Sequence, residues 1–257
     1  MRAKDYEFLY ALEDDFWWFA GMREITAALL DPFCSSTGRP QCVLDAGCGT
    51  GGNLAWLERY AGTGSVIGID LAEEALGFCR ARHQRLVARA SVTELPFTDS
   101  VFDLVTSFDV LGQLPCASSA ENALREMHRV LRPGGIAFIR VAAYEWMKSD
   151  HDHALGNMCR YNLAMLVELT TQVGLKPLRS TYANTLLLPA AALRRLVLTR
   201  IGLSAKGSDV KPLSPSFHWL NSLLTSLLYK EAQWLQRPHT RLRIGLSAIC
   251  VSEKPLF

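Results

Sequence analysis

The chain has 257 residues, 49% of them apolar and 20% charged, a balance that suits one α/β domain with insertions and excludes a disordered or fibrous protein. Its net charge of +2 is too small to call for a nucleic-acid partner, and the seven scattered cysteines lack a C-x-x-C pair, as in a reduced cytoplasmic protein. Met1–Tyr10 lacks the apolar stretch of a signal peptide, and no eighteen-residue apolar run could span a bilayer.

Charge is nonetheless uneven. Residues 5–15 hold five acids and no Lys or Arg, whereas Lys176 to Arg243 carries eleven Lys/Arg against Asp209 and Glu231. In chain order, residues 5–30 read as helical, with the aromatic cluster Phe16-Trp17-Trp18-Phe19, and close at Asp31-Pro32 before a Ser/Thr/Gly/Pro loop. Short apolar strands then alternate with helices. Strands are expected at Cys42–Asp45, Ser65–Asp70, Arg85–Ala88, Phe102–Ser107 and Ile136–Val141, and helices near 52–60, 72–83 and 119–131. That rhythm implies parallel pairing through right-handed crossovers. The helix ending at Leu131 meets Pro133 and Gly134-Gly135, which break it and turn the chain. Beyond Tyr144 we expect a helix near 161–173, a strand near 177–185, helical stretches near 187–201 and 217–236, and a strand near 245–252. About 55 residues between the last two strands is long for a connection and points to a functional insertion.

Val43-Leu44-Asp45-Ala46-Gly47-Cys48-Gly49-Thr50-Gly51-Gly52 is the most informative segment. A buried strand ends at Asp45, and the glycines let the backbone turn sharply and approach a ligand closely. The next strand ends in Asp70, an acid placed to accept both hydroxyls of a ribose. Gly47, Gly49 and Gly52 formally satisfy G-x-G-x-x-G, so a nicotinamide cofactor is the competing reading. Asp45 argues against it. A carboxylate at the mouth of the turn repels a pyrophosphate and suits the ammonium group of a methionine moiety.

D-A-G-C-G-T-G resembles the first motif of class I S-adenosylmethionine-dependent methyltransferases. Leu95-Pro96-Phe97, Phe102-Asp103-Leu104-Val105 and Arg129-Val130-Leu131-Arg132-Pro133-Gly134-Gly135 follow in the order of the broad small-molecule methyltransferase group ("type 11"-like) that includes quinone and sugar methylases. The resemblance covers about residues 41–141. It implies a Rossmann-like α/β fold with a seven-stranded, mostly parallel sheet and an antiparallel last strand. It also implies Asp45, Gly47, Cys48 and Gly49 beside the methionine part of S-adenosyl-L-methionine, Asp70 on the ribose, Leu71 against adenine, and Ser91 and Val92 at the adenine edge. Ser107 and Phe108, followed by Asp109, would pass close to the sulfonium. Relatives carry an aspartate where this chain has Ser91, and many carry Glu-His where it has Gly112-Gln113.

Methyl transfer from a sulfonium needs alignment and exclusion of water, and needs a general base only for a poorly acidic acceptor. The candidate catalytic groups follow the fifth strand: Tyr144, His151, His153 and Tyr161, with Asp152 and Arg160 between them. No metal is expected there. The aromatic N-terminal segment reads as a lid, Trp18 covering the cofactor and Arg23 pairing with its carboxylate, or as a helix packed on the sheet. In the insertion, Arg194, Arg195 and Arg200 flank apolar residues, and Leu220, Leu223, Leu224, Leu227 and Leu228 recur at helical spacing. They read as core or pocket packing, or as a cap admitting an apolar or lipid-linked acceptor at a membrane surface. The expected organisation is one domain over 1–257: a helical lid (1–40), a cofactor core (41–147) and an acceptor-side part (148–257) with a helical insertion at about 187–236. The expected function is methylation of a small-molecule acceptor, with no nucleic-acid partner. The alternative is an inactive cofactor-binding regulatory subunit.

Overall fold

The computed structural model describes residues 3–34, 40–115, 117–148, 152, 156–193 and 218–256. Two helices come first, α1 (Ala3–Leu12) and α2 (Trp17–Leu30). The chain then alternates β1 (Cys42–Ala46), α3 (Leu54–Ala61), β2 (Ser65–Asp70), α4 (Glu73–Ala81), β3 (Val87–Arg89) and β4 (Phe102–Phe108). It continues through α5 (Ala117–Val130), β5 (Leu131–Ala142), α6 (Leu163–Gln172) and β6 (Lys176–Ala183). The helices α7 (Leu188–Leu193) and α8 (His218–Leu235) and the strand β7 (Ser247–Glu253) follow.

All seven strands join one sheet in the order β3-β2-β1-β4-β5-β7-β6. The first five pair in parallel, and β7 runs antiparallel between β5 and β6. This is the Rossmann-like sheet with an antiparallel last strand that the resemblance implied. Helices cover both faces, which is why β1 and β4 can be apolar almost throughout. Val43, Leu104 and Phe138 pack with Ile25, Leu57 and Leu228 of α2, α3 and α8. Leu44, Val105 and Ile139 pack on the other face with Leu124, Met127 and Leu166 of α5 and α6.

Three elements differ from the sequence reading. The N-terminal helix is two helices, because Phe16 adopts an extended conformation (φ −77°, ψ 131°) and Arg23 takes up the carbonyls of Glu13 and Asp14. β5 begins at Leu131, before Pro133-Gly134-Gly135, with a register shift opposite Phe102 and Leu104. Lys254 holds that irregular start by donating from Nζ to the carbonyls of Arg129 and Leu131. In the insertion, Arg194, Arg195 and Arg200 lie outside the described residues. Its leucines divide by role: Leu228 is buried against α2, Leu224 lines a cavity, and Leu223 is exposed. Among the described residues no helix is long and apolar enough to cross a membrane.

The insertion is tied to the sheet by two buried charges. Glu231 of α8 accepts from the backbone N–H groups of Asn184 (2.5 Å), Thr185 (3.0 Å) and Leu186 (3.3 Å), just beyond β6. Arg179 of β6 donates to the carbonyls of Leu235, Arg237 and Thr240, at the negative end of α8.

Candidate functional site

The carboxyl ends of β1, β2, β4 and β5 open into a cavity of about 640 Å³, an ordinary size for a small-molecule site. The glycine turn forms one end. Gly47 has φ +91°, and a Cβ there would overlap the side chain of Val110, so only glycine serves. The N–H groups of Gly47 (2.9 Å) and Cys48 (2.8 Å) donate to the Ile69 carbonyl, pinning the turn to β2. The two oxygens of Asp70 each accept one backbone N–H, from Gly49 (2.9 Å) and from Ala72 (2.9 Å). A carboxylate oxygen held this way keeps lone pairs for a hydroxyl.

Asp45 lines the cavity yet is only 1% exposed. Burial pushes its carboxyl up to about 7, against the lowering effects of a 2.8 Å hydrogen bond from Thr106 and of the Arg140 charge. Such an acid gains most from a cation set beside it. The Cys48 thiol, 3.9 Å from the sulfur of Cys79, is held uncharged by that contact and by burial.

The N-terminal helices close over the turn. Glu13 accepts from the Thr50 hydroxyl, and Arg82 grips Asp14 through Nη1 (2.7 and 2.8 Å) and the Tyr10 carbonyl through Nη2 (2.9 Å). Trp17, Trp18, Phe19 and Arg23 line the cavity from α2. Arg23 also bonds the Glu13 carbonyl at 3.1 Å, so its guanidinium is fixed at the site. Half of α2 is buried, so this segment packs on the sheet as well as covering the site.

Most residues expected around a cofactor meet here. Asp45, Gly47, Cys48, Gly49, Asp70, Leu71, Ser91, Val92 and Phe108 all line the cavity, Leu71 with 63% exposure. Ser107 does not. It is fully buried, and its hydroxyl has no hydrogen-bond partner among the described residues. The expected catalytic tyrosines also lie off the cavity. Tyr144 takes φ +60° and stacks between Trp146 (5.7 Å) and Tyr182 (5.2 Å), and burial pushes its phenol up to about 12. The Tyr161 hydroxyl donates inward to the Leu111 carbonyl at 3.3 Å, and burial pushes it to about 12 as well. His151 and His153 lie outside the described residues.

Further residues complete the site, Asp109 and Arg160 as the sequence reading expected nearby, and Arg140 and the apolar end beyond it. Arg140 and Asp109 form an ion pair (2.7 Å) in the cavity wall. Arg160 lines the cavity while holding the buried Asp152 through Nε (2.8 Å) and Nη2 (3.1 Å). Leu187, Ala191, Leu224 and Leu246 make an apolar end opposite the glycine turn. The one sequence signal for Arg140 was a charge inside the apolar run Ile136–Ala143.

The strand order, the glycine turn and the acid closing β2 are the arrangement of class I S-adenosylmethionine-dependent methyltransferase domains. In agreement, residues 44–139 match the family described as methyltransferase domain. The chain is similar to the ubiquinone/menaquinone biosynthesis C-methyltransferase of Escherichia fergusonii, 37% identical over 111 residues (40% of this chain, 43% of that protein). It is similar also to the fatty-acid O-methyltransferase of Mycolicibacterium smegmatis, 35% identical over 96 residues (36% and 34%). The chain spans less than half the length of the curated relatives it matches. Phosphoethanolamine N-methyltransferase 2 of Haemonchus contortus, solved with S-adenosyl-L-methionine, shares the fold with a TM-score of 0.60 at 18% identity, covering 98% of this chain and 56% of that one.

Proposed function

We propose that this protein transfers a methyl group from S-adenosylmethionine to a small molecule with an apolar body. The observation that carries the reading is Asp45, a fully buried carboxylate facing the cavity beside a turn whose glycine excludes any side chain. That arrangement suits an ammonium group and disfavours a pyrophosphate. Asp70 would hold the ribose hydroxyls, Leu71 and Val92 would flank the adenine, and Arg23 would face the methionine carboxylate. When bound, the cofactor supplies an electrophilic methyl group on a sulfonium. The chain's own residues orient the acceptor and exclude water, with the aromatic rings of α2 forming the cover. The apolar end at Leu187, Ala191, Leu224 and Leu246 supports an acceptor with an apolar body. The fatty-acid and quinone-pathway names of two relatives are consistent with it.

Calorimetry with S-adenosylhomocysteine and with NAD tests the cofactor, and methyl label transferred into a metabolite extract tests the reaction. Uptake of NAD in place of the nucleoside overturns the reading. Tight nucleoside binding with no transfer into any fraction supports the regulatory alternative.

A further inference from the structure

Binding the cofactor leaves the ion pair of Asp109 and Arg140 without a use. Arg140 is the one charge in the apolar run Ile136–Ala142 of β5 and is only 5% exposed. Its guanidinium lies 5.0 Å from the ring centres of both Trp18 and Phe108. Two of its nitrogens, Nε (2.9 Å) and Nη2 (2.7 Å), hold one oxygen of Asp109, Oδ2. Asp109 is the first residue after β4 and sits at φ +61°, a left-handed conformation that aspartate tolerates better than most residues. Its N–H is fixed on the Arg140 carbonyl at 2.9 Å. The next residue, Val110, fills the space that a Cβ on Gly47 would need, so this corner abuts the donor turn. Strain and buried charge held together at a cavity wall are poor devices for stability and common ones for function.

The second oxygen of Asp109 is what matters. Among the described residues nothing hydrogen-bonds to Oδ1, while the side chain lines the cavity with 28% exposure. We propose that Asp109 Oδ1 receives the proton of the methyl acceptor, whose reacting head is a hydroxyl or weakly basic amine, and that Arg140 is the positioning residue that aims it. The inference rests on the methyltransferase reading and names its acceptor class: a hydrogen-bond-donating head on an apolar body. The acceptor's oxygen or nitrogen forms the new bond to the methyl carbon as the carbon–sulfur bond breaks, its electron pair staying on sulfur. The proton passes to Asp109 Oδ1 and leaves to water with the product. A carboxylate head would meet the Asp109 charge and is disfavoured.

The test uses a matched series on a 4-hexylphenyl body with hydroxyl, methoxy or carboxylate heads. Each is titrated by calorimetry into the full chain saturated with S-adenosylhomocysteine. The phenol should bind about tenfold more tightly than the anisole or the benzoate, as one charge-assisted hydrogen bond provides. In Asp109→Asn the amide oxygen stays on Arg140 and the amino group turns to the cavity. The phenol should then lose its advantage and the benzoate gain about tenfold, with affinity for S-adenosylhomocysteine unchanged within about twofold. Arg140→Lys, which keeps the charge without the fork, should lose part of the phenol preference. The proposal is overturned if the benzoate binds best to the wild-type chain, if no head is preferred, if none of the three binds, or if Asp109→Asn keeps the wild-type order. Should that variant not fold, the wild-type order decides alone. Failure of the wild-type chain to bind S-adenosylhomocysteine instead removes the methyltransferase reading on which the proposal stands.

Discussion

Replacing Asp45 by asparagine removes one charge at nearly constant volume and separates the two things that charge does. In the free protein it is a liability. Burial lifts the carboxyl from its ordinary 3.8 to about 7. At 1.36 kcal/mol per tenfold change in proton affinity, that is about 4 kcal/mol, an upper bound. The folded chain holds this proton more tightly than the unfolded one. The group therefore favours the folded state fully below pH 3.8, and that advantage is lost as pH rises to about 7. Asparagine can still accept from Thr106 but carries no titrating proton. At about pH 7.5 the variant should be more stable than the wild type by roughly 2–4 kcal/mol in urea titration, and its stability should fall less between about pH 4 and 7. Cofactor binding should move the opposite way. An ammonium ligand needs the ionised carboxylate, so wild-type affinity for S-adenosylhomocysteine should rise about tenfold per pH step up to about 7 and then level off. The variant should bind about 10- to 150-fold more weakly at about pH 7.5, the worth of a hydrogen bond to a charged group, and should lose the slope. A variant that is destabilised at neutral pH, yet binds S-adenosylhomocysteine as the wild type does, would refute the electrostatic reasoning.

Three further outcomes follow from named contacts. A Cβ on Gly52 would overlap the Glu13 carboxylate, so Gly52→Ala should push α1 off the turn and weaken S-adenosylhomocysteine binding by about tenfold in calorimetry. Glu231→Ala leaves three N–H groups, one buried and two part-buried, without their acceptor and should lower unfolding free energy by about 3 kcal/mol, read in urea. Ser91 lines the cavity at the edge proposed for adenine, and its hydroxyl bonds Thr93 at 2.8 Å. Ser91→Asp should therefore tighten S-adenosylhomocysteine binding by about fivefold, through a charged acceptor for the adenine amino group.

The glycine-turn end of the cavity was legible in the sequence because its determinants are local. Asp45, Gly47 and Asp70 sit at strand ends whose positions follow from short apolar runs. The pairing of Asp109 with Arg140 was not, because its parts meet only through sheet register. Asp109 and Arg140 are 31 residues apart and become neighbours because Phe108 pairs with Arg140 across β4 and β5. The acids of residues 5–15 were visible as a charge cluster, but their partners, Thr50 and Arg82, depend on how α1 docks. Tyr144 misled for the reverse reason. It follows a strand that ends at the site, but its left-handed backbone turns the ring onto Tyr182.

The match to the methyltransferase-domain family stops at residue 139, one position before Arg140. Trp18 and Phe19 of the cover come from ahead of that segment, while Leu187, Leu224 and Leu246 come from behind it. Leu228 meets Gly21 where the two flanks touch. The glycine-turn end of the cavity and its apolar end are thus written in different stretches of the polypeptide. Grafting both flanks together onto another member's middle portion should transplant selectivity, whereas grafting either alone should leave a mismatched seam at that helix crossing.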